Sequence, residues 1–230
     1  MVLCDLPYGV TNCEWDRKID MRALWAQYER VLRPGGAVVL FAQCPFCWEA
    51  MAAAPKGWFR YEWIWRKGRR GLTGFLSAKK MPMRAHEAVL VFGRGIRYQP
   101  QGLRPFHRVH GGERTAVYHG CSKTSTQTRT GYPNTVLEFA REDGAAPAQK
   151  PVALLEYLVR TYTRKGELVL DNAMGLGSTG VAALKCGRKF AGIEIDAERF
   201  GVARQRIEAA LESPAAPGWQ DESRPTTEAR

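Results

Sequence analysis

Apolar positions along the chain follow two periods. Short continuous runs at residues 2–5, 37–42, 59–65 and 88–92 predict strands, and the all-apolar AVVLFA of 37–42 reads as a parallel strand covered on both faces. Residues 19–32 instead place Leu24, Trp25, Tyr28, Val31 and Leu32 at helical spacing, and the RPGG of 33–36 stops that helix. Between 93 and 149 the periodicity disappears into Gly, Pro, Ser, Thr and Arg, and a loop-rich stretch of that length inside a domain is usually functional. Regular pattern then returns as helix 152–163, strand 168–171, helix 179–186, strand 190–195 and helix 197–211. Strands alternating with helices predict an α/β fold, a doubly wound and mostly parallel sheet carrying a loop-rich insertion. The tail from Ser213 is polar and Pro-rich and reads as disordered.

Composition narrows the classes. The apolar content is that of a folded globular domain, and no apolar run approaches the ~20 residues of a membrane span, so a cytoplasmic protein is expected. Six cysteines without a secreted-framework spacing read as reduced thiols. The formal net charge of +11 and pI near 9.6 suit a nucleic-acid partner, and the distribution of the charge sharpens that. Residues 66–84 hold seven cations (Arg66, Lys67, Arg69, Arg70, Lys79, Lys80, Arg84) and no acid. Residues 94–133 hold seven more against Glu113, with Tyr98, Phe106, Tyr118 and Tyr132 between them. A solvated loop surface would look similar; the sharper reading is a phosphate-contacting surface with rings placed near bases.

Two stretches carry candidate chemistry. ELVLDNAMGLGSTG reads as strand, glycine turn and helix start, with Gly175, Gly177 and Gly180 in G-x-G-x-x-G spacing and Glu194 about 20 residues beyond the turn. The glycines would let backbone approach a ligand, Glu194 could hold ribose hydroxyls, and Asp171 could pair with a cation. The 36 residues after Glu194 leave room for a helix and a tail, so the ligand expected is smaller than a dinucleotide, though still adenosine-containing. The second stretch is Asp5-Leu6-Pro7-Tyr8, at the carboxyl end of the first strand, the edge where open α/β sheets bind ligands. There the Asp5 carboxylate and a freed backbone carbonyl can both accept from one amino group, Tyr8 offers a face for stacking, and Pro7 stiffens the turn. Together they suit a planar heterocycle with an exocyclic amine.

DLPYGVTNCEWD resembles the Asp-Pro-Pro-Tyr target motif of the amino-methylating DNA methyltransferases, in the variant common among phage-type adenine methyltransferases. GFLSAKKMPMRAHEAVLVF, QKPVALLEYLVRTYT and LDNAMGLGSTGVAALKCGRKFAGIEID are similar to further stretches of the family, in the order of its permuted β class, over residues 1–211. The resemblance implies S-adenosylmethionine as cofactor and double-stranded DNA as partner, with no metal and no membrane. Asp171, Asn172, Gly175, Gly177 and Thr179 would then face the cofactor, Glu194 its ribose, and Lys150 with Pro151 would close its pocket. Asp5, the Leu6 carbonyl, Pro7 and Tyr8 would grip a flipped adenine; Leu6 stands where relatives have proline. Residues 1–93 would be the catalytic half, 94–148 a variable DNA-recognition insertion, 149–212 the cofactor half and 213–230 the tail. Relatives also lead us to expect an edge strand beside 190–195 that is missing at this N-terminus.

Rival readings have specific weaknesses. CPFC at 44–47 lacks the second pair that a zinc site needs and reads as core packing, and the H-x-E and P-C-x-x-C of zinc deaminases are absent. The four histidines read as surface or DNA-facing. A cytosine-amine methyltransferase fits the same grip, and a catalytically inactive DNA-binding relative would share the basic surface, but would have no use for Asp5, Tyr8, Asp171 and Glu194 together. A NAD-linked oxidoreductase is the remotest alternative.

Overall fold

A computed structural model of the protein describes residues 1–9, 16–68, 71–110, 124–141 and 149–212. Arg69, Arg70, Tyr118 and the tail lie outside the described residues.

The elements in chain order are β1 (Val2–Cys4), α1 (Met21–Val31), β2 (Val38–Ala42), α2 (Phe46–Ala53), β3 (Phe59–Arg66), β4 (His86–Phe92), β5 (Arg104–His110), β6 (Ser125–Thr130), β7 (Val136–Glu138), α3 (Val152–Tyr162), β8 (Leu168–Asp171), α4 (Ser178–Lys185), β9 (Lys189–Gly192) and α5 (Ala197–Glu212). Seven strands form one sheet in the order β7-β3-β4-β2-β1-β8-β9. Only β4 runs against its neighbours, so the sheet is mostly parallel, as expected.

Alternation along the buried strands sorts side chains onto two helical layers. Leu3, Val39, Phe41, Val89, Val91 and Val169 point to α3 and α4, meeting Leu154, Leu158, Val159 and Ala182. Val2, Cys4, Val38, Leu40, Leu90 and Phe92 point the other way, to Met21, Trp25 and Tyr28 of α1 and to Phe46 and Ala50 of α2. Both faces of β1 and β2 are therefore covered, which is why VLC and VVLFA carry no polar residue. At the start of α1, Asp20 accepts from the backbone N–H groups of Arg22 (2.9 Å) and Ala23 (3.2 Å), satisfying donors that the first helical turn leaves open. Val31, expected on the buried stripe of that helix, is exposed.

Three expectations are corrected. The stretch 93–149 is not devoid of regular structure. It holds β5 and β6, an antiparallel ribbon separate from the main sheet, and β7, which adds to β3 in parallel. The polar sequences of β5 and β6 hide the strand period because neither face is deeply buried, and β7 is too short to show one although its Leu137 is buried. The last strand stops at Gly192 rather than at residue 195, and Ile193 and Ile195 are exposed beyond it. Cys44 and Cys47 are joined as a disulfide across the first turn of α2, with α-carbons 5.1 Å apart, rather than standing as separate reduced thiols. No described helix is long and apolar enough to cross a membrane.

The topology brings the two halves of the chain together at one edge. β1 lies between β2 and β8 and runs parallel to both, with Val2 opposite Val38 on one side and Leu170 on the other. Asp5, just past β1, and Asp171, the last residue of β8, therefore emerge side by side at the carboxyl edge of the sheet.

Candidate active site

Asp5 is oriented from two sides. Tyr8 donates its hydroxyl to Oδ1 at 2.8 Å, and the Lys150 ammonium bonds to Oδ2. Each oxygen keeps a further lone pair for an incoming N–H. The Tyr8 ring is backed by Phe46, with centroids 4.9 Å apart and planes tilted by 30°. Burial, followed by the neighbouring Asp5 charge, pushes the Tyr8 hydroxyl well above its ordinary pKa, so it remains a donor. Leu6 is buried and anchors the turn, with Pro7 half-buried between them.

Lys150 stands at the target motif and not at the glycine turn. Its ammonium bridges Asp5 and, at 3.3 Å, Glu87 Oε2 on β4, and it lies 5.0 Å from the centre of the Phe41 ring. Glu87 Oε1 in turn contacts Lys67 at 2.5 Å and accepts from Gln43 at 3.1 Å. The result is a line of alternating charge, Asp5–Lys150–Glu87–Lys67. Side-chain exposure along it is 30% at Asp5, 9% at Lys150, 8% at Glu87 and 4% at Lys67. Asp5 is thus the open end of a buried network. Burial alone would raise the Glu87 carboxyl, but Lys150 and Lys67 together hold it below its usual range. Burial would likewise lower Lys150, and Asp5 and Glu87 override it upward.

This corrects the reading of Lys67 as a phosphate contact: its cation is buried against Glu87 and 5.5 Å from the Trp65 ring centre. Arg66 is exposed but pairs with Glu138 of β7 at 2.8 Å. Arg97, in the second basic stretch, forks onto both oxygens of Glu167 (2.7 and 2.8 Å). Lys79, Lys80 and Arg84 are exposed, with Arg84 donating to Gln43 Oε1 at 3.1 Å. The roles of Glu87 and Gln43 were missed. The available signal was a carboxylate heading the apolar run AVLVF, where an inward-pointing acid needs a buried cation.

The glycine turn sits beside this network. Asp171 is buried, and its partners among the described residues are neutral: the Ala173 N–H at 3.1 Å, Thr179 and Cys4. Burial pushes its carboxyl up to about 6 against the pull of those hydrogen bonds. Asn172 Oδ1 accepts from Tyr28 at 2.7 Å, tying the turn to α1. Glu194 accepts from the Gly175 N–H at 2.8 Å and the Asp196 N–H at 3.0 Å, closing the turn against the loop after β9.

The glycines divide their roles. Gly175 has φ +53 and open space where a side chain would stand, so a ligand can approach its backbone. Gly177 also has positive φ (+78), but a Cβ there would meet Ala203 and Ile207 at 3.0 Å, so its bareness serves the packing of α5. Pro151 caps α3 next to Lys150.

A family model described as DNA methylase matches residues 1–205. The chain belongs to the DNA methylase family. Among curated relatives, the type II methyltransferase M2.DpnII of Streptococcus pneumoniae is 43% identical over 70 residues, 30% of this chain and 26% of that protein. The DNA adenine methyltransferase YhdJ of Escherichia coli (strain K12) is 37% identical over 84 residues, 34% of this chain and 29% of its own length. The matches thus span little more than a quarter of those relatives. Solved structures share the fold along nearly the whole chain. The M1.HpyAVI complex with S-adenosylmethionine has a TM-score of 0.59 at 19% identity, covering 90% of this chain and 87% of the other. The cytosine-N4-specific PvuII methyltransferase gives 0.60 at 15%, covering 92% and 82%.

A cofactor of the kind in the M1.HpyAVI structure can be tested against the residues present. Asp171 is a buried carboxylate with no cation among its partners in the described residues, and it stands beside a glycine turn with free space over Gly175. Glu194 retains acceptor capacity beyond its two backbone donors. A cationic adenosine derivative fits that donor and acceptor set.

Proposed function

We propose that this chain methylates the exocyclic N6 amine of adenine in double-stranded DNA, using S-adenosylmethionine, and works in the cytoplasm with that DNA. The observation that carries the reading is the Asp5 carboxylate, fixed by Tyr8 and Lys150 at the sheet edge beside the cation-seeking Asp171. S-adenosylmethionine would supply a methyl group already activated on a positively charged sulfur. Asp171, Thr179 and the backbone at Gly175 would hold the amino-acid part of the cofactor, with Glu194 on the ribose. Asn172 would keep the turn in place through Tyr28.

The target base must leave the duplex to reach this edge, at a cost of a few kcal/mol. Tyr8, stiffened by Phe46 behind it, offers the stacking surface for that base. Asp5 and the Leu6 carbonyl would accept the two amine hydrogens and aim the nitrogen lone pair along the transfer axis. The Asp5 carboxylate would also be the acceptor for the proton that the nitrogen loses on methylation. Positioning of this kind supplies much of the rate when the leaving group is already good.

Lys79, Lys80 and Arg84 on one loop, with Arg104 and Arg108 on the β5–β6 ribbon, would contact phosphates. A two-stranded ribbon is of a size that a major groove admits. This supports the recognition role of residues 94–148. Adenine is favoured over cytosine because a relative named as an adenine methyltransferase shares the matched stretch.

The test is mass spectrometry of nucleosides from unmethylated DNA incubated with the protein and methyl-deuterated cofactor. Labelled N6-methyladenine is expected. Label on cytosine N4 alone would reassign the base, and no label with intact DNA binding would leave an inactive binder.

A further inference from the structure

The loop between β3 and β4 carries apolar side chains that the fold does not use. Thr73 and Arg84 close its base through paired backbone hydrogen bonds (3.0 and 2.8 Å), extending the β3–β4 hairpin outward. At its tip, residues Phe75–Ser77 form a 3₁₀ turn entered through Gly74 at φ +84, and Ser77, Ala78 and Lys80 bond back along the turn at 2.8–3.1 Å. This organised tip presents Phe75 at 69% exposure and Leu76 at 93%, with Met81 and Met83 also exposed. Buried packing therefore does not account for an aromatic and an aliphatic residue set side by side at the apex.

Two further observations say what the tip meets. Lys79, Lys80 and Arg84 stand on the same loop, and residues 66–84 contain no acid, so the loop's own charged residues around the apolar apex are all cations. The base of the loop is also wired to the target motif: Arg84 bonds Gln43, Gln43 bonds Glu87, and Glu87 reaches Asp5 through Lys150. An apolar apex between phosphate-seeking cations, tethered to the residue that would grip a flipped base, matches the wedges that proteins insert between base steps.

We propose that Phe75 and Leu76 form a wedge that inserts between base pairs of the DNA duplex, at the step beside the position that the target base leaves. This deepens the DNA reading above and rests on it. The cations on the loop hold the backbone on either side, and the apolar pair stacks against the base pairs that it parts.

Inserting a wedge between base pairs unwinds the helix, and this can be read without knowing the recognition sequence. Closed circular plasmid is relaxed by a topoisomerase in the presence of the protein, stripped of protein, and its topoisomers are resolved. The full chain is expected to shift the distribution in proportion to bound protein. The F75A/L76A variant, compared at equal bound fraction, is expected to lose most of that shift. Because both side chains are exposed, its melting temperature should match the parent; if it falls, L76K, at the most exposed position, is read instead.

An unchanged topoisomer shift in the variant, or no shift with the parent chain, would overturn the wedge. So would a concentration-dependent dimer in sedimentation that the same substitutions abolish, since the apex would then serve a second copy. Nucleoside analysis of the parent chain tests the methylation reading separately, so the two ideas can fail independently.

Discussion

Asp5 and Asp171 leave the same edge of the same sheet on adjacent strands, yet they sit in opposite electrostatic settings. Asp5 is partly open and already holds a cation, Lys150, which is itself shared with Glu87. Asp171 is buried among neutral donors, and burial pushes its carboxyl up to about 6 because their hydrogen bonds offset the loss of water only in part. Under the proposed function, this difference sorts the ligands. A neutral amine, which needs an oriented acceptor and brings no charge, belongs with Asp5. A cationic cofactor, which supplies the missing counter-charge, belongs with Asp171. Two identical side chains thus acquire different partners from the packing around them.

The comparison breaks most visibly at Asp5. Asp5→Ala removes the acceptor for the target amine and should lower single-turnover methyl transfer by roughly 100- to 1000-fold, the range for loss of one well-placed catalytic hydrogen-bonding group. Single-turnover rates on saturating DNA and cofactor check this, and residual activity near the parent level would remove Asp5 from its role.

Glu87→Ala tests the buried line behind Asp5. It leaves Lys67 and Lys150 without their shared carboxylate and should destabilise the fold by about 3–5 kcal/mol, as breaking one partner of a buried ion pair does. Denaturant melts measure it. The same pairing makes a pH prediction: the Glu87 carboxyl is held below its unfolded value, so its contribution is present above that value and is lost as pH falls through the lower, folded one.

The smallest effect separates the two aspartates by acid. Asp171 has its carboxyl near 6, so it is ionised at neutral pH and becomes protonated below that point. Cationic cofactor prefers the ionised form. Its affinity should therefore fall with acid below pH 6, by at most about tenfold per pH unit, and Asp171→Asn should flatten the dependence. Titrations between pH 5 and 8 check the slope, and a flat profile for the parent chain would contradict it.

Much of this arrangement was readable in the chain itself. VLC followed by Asp5, and LVLD followed by glycines, each announce a buried strand ending in a carboxylate, because apolar runs and turn glycines are local signals. That those two strands lie side by side was not legible, since they stand far apart in the chain and only the sheet order brings them together. The counter-ions were not legible, since Lys150 lies 145 residues from Asp5 and Lys67 looked like one more cation in a basic stretch. Only the three-dimensional path of β3 and β4 turns Lys67 inward. The strands β5 and β6 escaped for a different reason: the ribbon buries little, so STQTRT and RPFHRVH show no hydrophobic period, while the three residues of β7 are too few to show one.

The division of labour is tested most directly by calorimetric titration of S-adenosylmethionine into three proteins at pH 7.5: the parent chain, Asp5→Ala and Asp171→Asn. The account predicts that Asp5→Ala binds cofactor within about twofold of the parent, whereas Asp171→Asn binds about tenfold or more weakly, since a hydrogen bond to a charged group contributes roughly 1.5–3 kcal/mol. Equal affinity in all three proteins, or a loss confined to Asp5→Ala, would contradict it.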